Sequence, residues 1–283
     1  MERVERVERE IITSRQNRQV KLVCSLCDKK KRSESGLFRV DGIKLLYEIL
    51  DSSYELDSIF YCQDAGDDVM SCIDAALARG KIKEERIVCV SESVFDKMTE
   101  QSAPEGIIAV ARMGDIHIMA CSEEIDRVVQ DRERLLMLES IRDPGNLGTI
   151  IRSAYALGID TVIISDDCAD IYNPKTLRAA MGAIFRQKTV RVDSSQLAQS
   201  IDALVRTGRK VFATALTPEA VSITDVEFCT GDCFVIGNEG HGLSEKTLNS
   251  CTSTVIIPMR EGAESLNAAS AATICIWETV RRS

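Results

Sequence analysis

A chain of 283 residues can form two domains of ordinary size, and 45% hydrophobic against 28% charged residues is the balance of a soluble globular protein. No apolar run approaches the ~20 residues a membrane-spanning helix requires, the charged start Met1–Arg6 lacks the apolar stretch of a secretion signal, and a net charge of −9 excludes a surface coated in positive charge. Eleven cysteines, an odd number set mostly within apolar stretches such as those around Cys89, Cys121 and Cys275, predict reduced, buried thiols and a cytoplasmic location.

Residues 1–14, with their charged Glu-Arg-Val repeat, predict a frayed or helical extension. From Gln16 to Lys31 the apolar Val20, Leu22, Val23, Leu26 and Cys27 recur at near-helical spacing. A strand at 36–42, a helix at 43–50, a strand at 58–62, a helix at 69–79 and a strand at 86–90 follow. A helix at 94–99 and a strand at 106–111 complete the run. The alternation predicts a small α/β domain over 15–121, its last strand ending near Met113, then a polar linker over 122–133.

Between Arg15 and Arg39 eight basic residues stand against two acidic ones, a local balance of +6. Lys29, Lys30, Lys31, Arg32 and Arg39 are its candidates for contact with phosphates. A solvated, charged helix end explains the same residues equally well. Cys24 and Cys27 form a CxxC without a second pair, and the only histidines are His117 and His241. No metal site is expected.

In the second half, strands are predicted at 135–138, 161–164, 189–192, 210–214, 233–236 and 254–257. Helices lie between them, the last at 265–281. This is the pattern of a mostly parallel sheet covered on both faces.

Three of these strands run into blocks of small and polar residues. The first, Glu139-Ser-Ile-Arg-Asp-Pro-Gly-Asn-Leu-Gly-Thr-Ile-Ile-Arg152, turns at Pro144-Gly145, and Asn146 can cap the helix that follows. Leu147, Ile150, Ile151, Ala154 and Leu157 form that helix's apolar stripe, and Arg152 falls roughly opposite it. The second, Val235-Ile-Gly-Asn-Glu-Gly-His-Gly-Leu243, carries Gly237, Gly240 and Gly242, which permit close backbone approach or positive φ, with Asn238 and Glu239 as polar groups between them. Three glycines after a strand equally describe a tight turn, and the spacing is not that of a nicotinamide-binding loop. His241 has no assigned role. In the third, Ile256-Ile-Pro-Met-Arg-Glu-Gly-Ala-Glu-Ser-Leu-Asn267, Pro258 stops the strand and Glu264 or Ser265 can start the last helix. The small residues 268–272 are either good helix formers or mark a backbone passing close by.

As an ordered set the blocks resemble the three motifs of the SpoU (TrmH-like) branch of the SPOUT RNA methyltransferases, closely over 134–283 and loosely before it. The resemblance implies a C-terminal SPOUT-type parallel sheet with a trefoil knot, plus a small N-terminal α/β RNA-binding domain. It implies transfer of a methyl group from S-adenosyl-L-methionine to a ribose 2′-hydroxyl of tRNA or rRNA, by a homodimer that often completes its site across the interface. Residue by residue, it makes Asn146, Arg152, Glu239, Ser265 and Asn267 catalytic, and Gly237, Ile257, Met259 and Leu266 cofactor-binding. The stretch Asn173–Arg186 also resembles the family, in which this helix often faces RNA; Lys175 and Arg178 are its candidate contacts, and a solvated face explains them equally well. Glu261 departs from the family pattern, in which many relatives have glycine at that place.

An arginine with a pKa above ~12 is a poor base unaided. Either an RNA phosphate polarises the guanidinium of Arg152 so that it activates the hydroxyl, or the guanidinium only holds that phosphate. Two rivals stand beside the enzyme reading: a non-catalytic RNA-binding protein of the same fold, and a different cofactor enzyme on a Rossmann-like sheet. Arg152, Glu239 and Asn267 speak against the first.

Overall fold

The apolar runs at 37–41, 56–62, 87–90 and 107–112 become strands whose residues are mostly buried. The computed structural model describes residues 9–114, 117–119, 124–130, 132–260, 262 and 265–282. They fall into two compact units: residues up to Gly114 together with Tyr172–Pro174, and the rest.

The first unit runs β1 (Ile11–Ile12), α1 (Arg18–Ser25), α2 (Lys29–Ser35), β2 (Leu37–Asp41), α3 (Ile43–Leu50), β3 (Leu56–Cys62), α4 (Asp67–Ala78), β4 (Ile87–Val90), α5 (Glu92–Met98) and β5 (Ile107–Arg112). Its sheet has the order β1-β4-β3-β5-β2, parallel between β1, β4 and β3 and antiparallel on both sides of β5. Alternation along the strands divides the core. Phe60, Cys62, Ile108 and Val110 face Val20 and Val23 of α1 and Val94, Phe95 and Met98 of α5. The packed pair α3 and α4 buries Leu45, Leu46, Ile49 and Ile73. The segment expected to be a frayed or helical extension is different in its described part: Ile11–Ile12 adds an edge strand to β4.

The single helix expected over 16–31 is broken in two. The Asp28 carboxylate accepts from the backbone N–H groups of Lys30 and Lys31 and starts α2. Arg32 then reaches back and donates to the carbonyls of Leu26 and Cys27, both at 2.8 Å. Carbonyls near the end of α1 find their partner there rather than in continued helix. This overturns the expectation that Arg32 meets RNA, because it is 1% exposed. Arg39, also 1% exposed, is overturned for a like reason. It forms a two-pronged pair with Asp41 at 2.9 and 2.6 Å and donates to the carbonyl of Met98. Burial opposes its charge, and Asp41 more than offsets that, holding the guanidinium above its ordinary pKa. Lys29, Lys30 and Lys31 remain exposed.

The second unit comprises β6 (His117–Met119), α6 (Ile125–Val128), β7 (Leu135–Leu138), α7 (Pro144–Leu157), β8 (Thr161–Ser165), α8 (Pro174–Ala180), β9 (Lys188–Val192), α9 (Leu197–Arg206), β10 (Val211–Thr214), β11 (Val221–Ser222), β12 (Cys233–Ile236), α10 (Glu245–Ser250), β13 (Ser253–Ile256) and α11 (Ala268–Arg282). Its eight strands, in the order β11-β13-β10-β12-β7-β8-β9-β6, are all parallel. One face packs Met137, Ile163, Val190 and Val235 against Leu197, Ile201 and Leu204 of α9. On α7, Leu147, Ile150, Ile151 and Ala154 of the expected stripe are buried, and α11 packs on α7. The stretch read as a linker differs too: Ile125 and Val129 are buried in the core of this unit. β6, inside the span 15–121 expected for the first domain, pairs with β9 of the second unit. Cys121 and Glu261 lie outside the described residues.

Because the sheet is parallel, the three blocks leave β7, β12 and β13 at one carboxyl edge, where open α/β sheets bind ligands. β7 and β12 are neighbours, and β13 is separated from β12 only by β10. Gly148 lets the start of α7 pack closely. A Cβ there would lie 2.4 Å from the carbonyl oxygen of Thr176 and 2.7 Å from the Cβ of Ala179.

Candidate active site

Asp143, not Asn146, caps α7. Its carboxylate accepts from the Asn146 backbone N–H at 2.8 Å, with Pro144 opening the helix. A hydrogen bond from Lys175 at 2.8 Å, and then that of the Asn146 N–H, hold the Asp143 carboxyl below its ordinary range. Relieved of the capping role, the Asn146 side chain points to the other two blocks. Its Nδ2 donates to Glu239 Oε1 at 2.5 Å, and its Oδ1 accepts from Asn267 Nδ2 at 2.9 Å. Asn267 in turn starts α11, its Oδ1 accepting from the N–H groups of Ala269 and Ser270. The expected start at Ser265 or Glu264 is therefore corrected to Asn267 for the described residues, while Glu264 lies outside them.

The glycine loop after β12 divides its work. Gly237 is needed for close approach: a Cβ would sit 2.5 Å from the carbonyl carbon of Gly242. Gly242 alone of the three has positive φ, +69°. Asn238 Oδ1 accepts from the N–H groups of Gly240 and His241, which folds the turn that presents Glu239.

Beside this network lies a cavity of about 140 Å³ lined by Ile257, Met259, Ser265, Leu266 and residues Thr214–Leu216. Three of the four residues expected to bind cofactor converge here, with Ser265 on the wall rather than in the asparagine network. Thr214–Leu216 were not picked out in the sequence. They form the end of β10 and the two residues after it, where the apolar run carries no unusual residue, and the strand order sets them beside β13. Leu216 is 63% exposed at the cavity, and Leu266 is exposed as well.

Arg152 does not join the others. It is exposed on α7 and makes no hydrogen bond or ion pair with another described residue. Six positions after Asn146, it lies about 9 Å further along the axis and about 240° around it. Tyr155 on α7 and Ile274 and Trp277 on α11 are exposed large apolar side chains, Trp277 at 52%. Thr273 of α11 donates to Ser153 of α7 at 2.9 Å. Lys175 is engaged with Asp143, and Arg178 is half-buried with its Nη1 enclosed.

The described cysteines are all free thiols. Burial pushes Cys72 up to about 11 and Cys251 and Cys275 up to about 12, while Cys229 is exposed. Among the described residues no helix is long and apolar enough to cross a membrane.

The model of the SpoU rRNA methylase family matches residues 133–277, and that of the MRM3-like substrate binding domain matches residues 17–109. The chain is 32% identical over 268 residues to the 23S rRNA (guanosine(2553)-2′-O)-methyltransferase RlmP of Bacillus subtilis, covering 94% of this chain and 97% of that one. It is 30% identical to the 23S rRNA (uridine(2479)-2′-O)-methyltransferase of Streptomyces viridochromogenes, over 96% of this chain and 92% of that one. Among solved structures, the AdoMet-bound rRNA methyltransferase of Sinorhizobium meliloti superposes with a TM-score of 0.80 at 27% identity, covering 96% of this chain and 97% of the other. The AdoMet complex of the SpoU methyltransferase AviRb from Streptomyces viridochromogenes superposes with a TM-score of 0.77 at 26% identity, over 94% and 98%.

Proposed function

The chain belongs to the SpoU rRNA methylase family and is an S-adenosylmethionine-dependent RNA 2′-O-ribose methyltransferase, and we propose that its substrate is a nucleotide of the large-subunit rRNA. The observation that carries the site assignment is the bridge made by Asn146 between Glu239 and Asn267 beside the apolar cavity.

The cavity fits the cofactor. Ile257, Met259 and Leu266 offer apolar walls, and the exposed Leu216 and Leu266 suit the faces of a flat purine. S-adenosylmethionine supplies a methyl group on a sulfonium, open to in-line attack by a hydroxyl oxygen. The chain's own work is to aim that hydroxyl. Asn146, held from both sides, fixes its own amide and the Glu239 carboxylate beside the cofactor cavity, where the ribose is to be placed. Glu239 is the acidic group of this network, and Ser265 lines the cofactor side. Gly237 lets the loop behind Glu239 close.

Arg152 lies away from this network within its own chain, so the proposed enzyme is a homodimer in which Arg152 serves the partner's site. The exposed Tyr155, Ile274 and Trp277 on the same two helices support that face as the interface. A guanidinium is a poor base and a planar, two-pronged ligand for phosphate, so Arg152 grips an RNA phosphate rather than removing a proton. The C-terminal trefoil knot belongs to this proposal. So do RNA capture by Lys29, Lys30 and Lys31 of the first unit and a cytoplasmic site of action.

Calorimetric titration with S-adenosylmethionine tests the cofactor half, and mapping 2′-O-methyl positions in rRNA with and without the gene tests the other. Binding together with loss of one mapped methylation is expected. No binding, or an unchanged map, overturns the proposal.

A further inference from the structure

A second cavity, about 170 Å³, lies between the loop after β7 and the glycine loop after β12, and the mechanism above makes no use of it. Its walls include Glu139, Ser140, Arg142, Asn238, His241 and Ser244. Unlike those of the cofactor cavity, most of its lining residues carry polar side chains, and several of these are firmly braced. Asn238 Nδ2 donates to the Ser140 carbonyl at 2.8 Å and ties the two loops together. Ser140 is held in the left-handed region, φ 56°, its N–H donating to Ser165 Oγ and its Oγ to Asp167. Glu139 accepts from the Ser244 N–H and the Thr247 hydroxyl, both at 3.1 Å. Arg142 and His241 lie on the opposing loops with their side chains in solvent, Arg142 at 71% and tethered, among the described residues, only by a 3.5 Å contact to Asp167.

We propose that this cavity receives the nucleobase of the nucleotide whose ribose is methylated, with Arg142 and His241 as the planes against which the base stacks. The inference rests on the RNA methyltransferase reading. A ribose whose 2′-hydroxyl reaches the Asn146–Glu239 pair carries its base on the adjacent ring carbon, so the base must lodge close to that pair. Asn238, on the cavity wall, directly precedes Glu239 in the loop. The cavity lined by Ile257, Met259 and Leu266 is the one assigned to the cofactor. Enzymes that act on single nucleotides of RNA splay the base out of its stack, and histidine rings and arginine guanidinium planes are surfaces on which such bases settle. Ser140 and Glu139 stand on the cavity wall, with their carbonyl and carboxylate acceptors held in place by Asn238, Ser244 and Thr247. Arg142 and His241 are thus positioning residues for the substrate.

The test uses the full-length enzyme and an rRNA fragment transcribed around the mapped methylation site, with a second fragment abasic at that nucleotide. Arg142→Ala and His241→Ala should each raise KM for the normal fragment about tenfold while leaving S-adenosylmethionine affinity unchanged. His241→Phe, which keeps a stacking plane, should restore KM. On the abasic fragment the wild type should fall to the level of the alanine variants, and the variants should lose nothing further. Wild-type KM in both alanine variants, or an equal loss on normal and abasic fragments, overturns the inference. A wild-type enzyme that methylates neither fragment nor whole rRNA instead overturns the functional reading.

Discussion

Asn267 donates its Nδ2 hydrogen to Asn146 Oδ1 at 2.9 Å, across 121 positions of sequence, while its own Oδ1 caps α11. The two roles separate by substitution. Asn267→Asp keeps a capping oxygen but cannot donate to Asn146, so thermal stability should hold while single-turnover methylation falls about a hundredfold. Asn267→Ala should lose both, with a stability cost of about 1 kcal/mol. Denaturant melts beside single-turnover assays read the two effects.

Truncating Arg152 should leave stability within about 0.5 kcal/mol, because it is exposed and touches no described partner by hydrogen bond or charge. Arg152→Ala should bind S-adenosylmethionine normally and lose methyl transfer. Mixing inactive Arg152→Ala and Asn146→Ala subunits should then regain activity, since one site of each mixed dimer has both native residues. No regain would place Arg152 in its own subunit's site or outside the chemistry.

Gly148→Ala forces a methyl group to within 2.4 Å of the Thr176 carbonyl oxygen. Overpacking of this kind costs about 1–3 kcal/mol. The displaced helix also carries Asn146, so the variant should lose turnover beyond what partial unfolding explains, as measured at a temperature well below its melting point.

The pair Asp143–Lys175 sets an acid limb. Lys175 and the Asn146 N–H hold the folded Asp143 carboxyl below the ordinary aspartate value of about 3.9. Its contribution is therefore fully present above that value and is lost as pH falls below it through the folded pKa. Both side chains are substantially exposed, so the loss is small. Melting temperature followed from about pH 5 to about pH 3 should fall less steeply for Asp143→Asn, which still caps the helix.

Basic residues of the first unit should divide by burial. Asp41→Ala leaves Arg39 buried and uncompensated and should cost about 3–5 kcal/mol in a denaturant melt. Reversal of Lys29, Lys30 and Lys31 to glutamate should leave stability nearly unchanged and weaken rRNA binding, with a shallower dependence on salt.

Much of the architecture was legible along the chain because apolar runs bounded by glycine and proline identify buried strands locally. The strands at 135–138, 161–165, 188–192 and 233–236 lie within a residue of where their patterns place them. The break between α1 and α2 was not legible. Whether Asp28 caps a new helix, or Arg32 turns inward to the carbonyls of Leu26 and Cys27, is settled by packing rather than by periodicity.

Taken alone, the amino-acid sequence determined the alternation of elements, the three blocks at strand ends and the family they belong to, since each is written in contiguous residues. Tertiary structure decided what those residues do. Strand order brings Thr214–Leu216 to Ile257 and Met259, and an aspartate cap frees Asn146 to join Glu239 and Asn267. Burial converts Arg32 and Arg39 from candidate phosphate ligands into internal braces. Local spacing sets the face on which a side chain emerges, whereas its partner depends on which distant strand the sheet lays beside it.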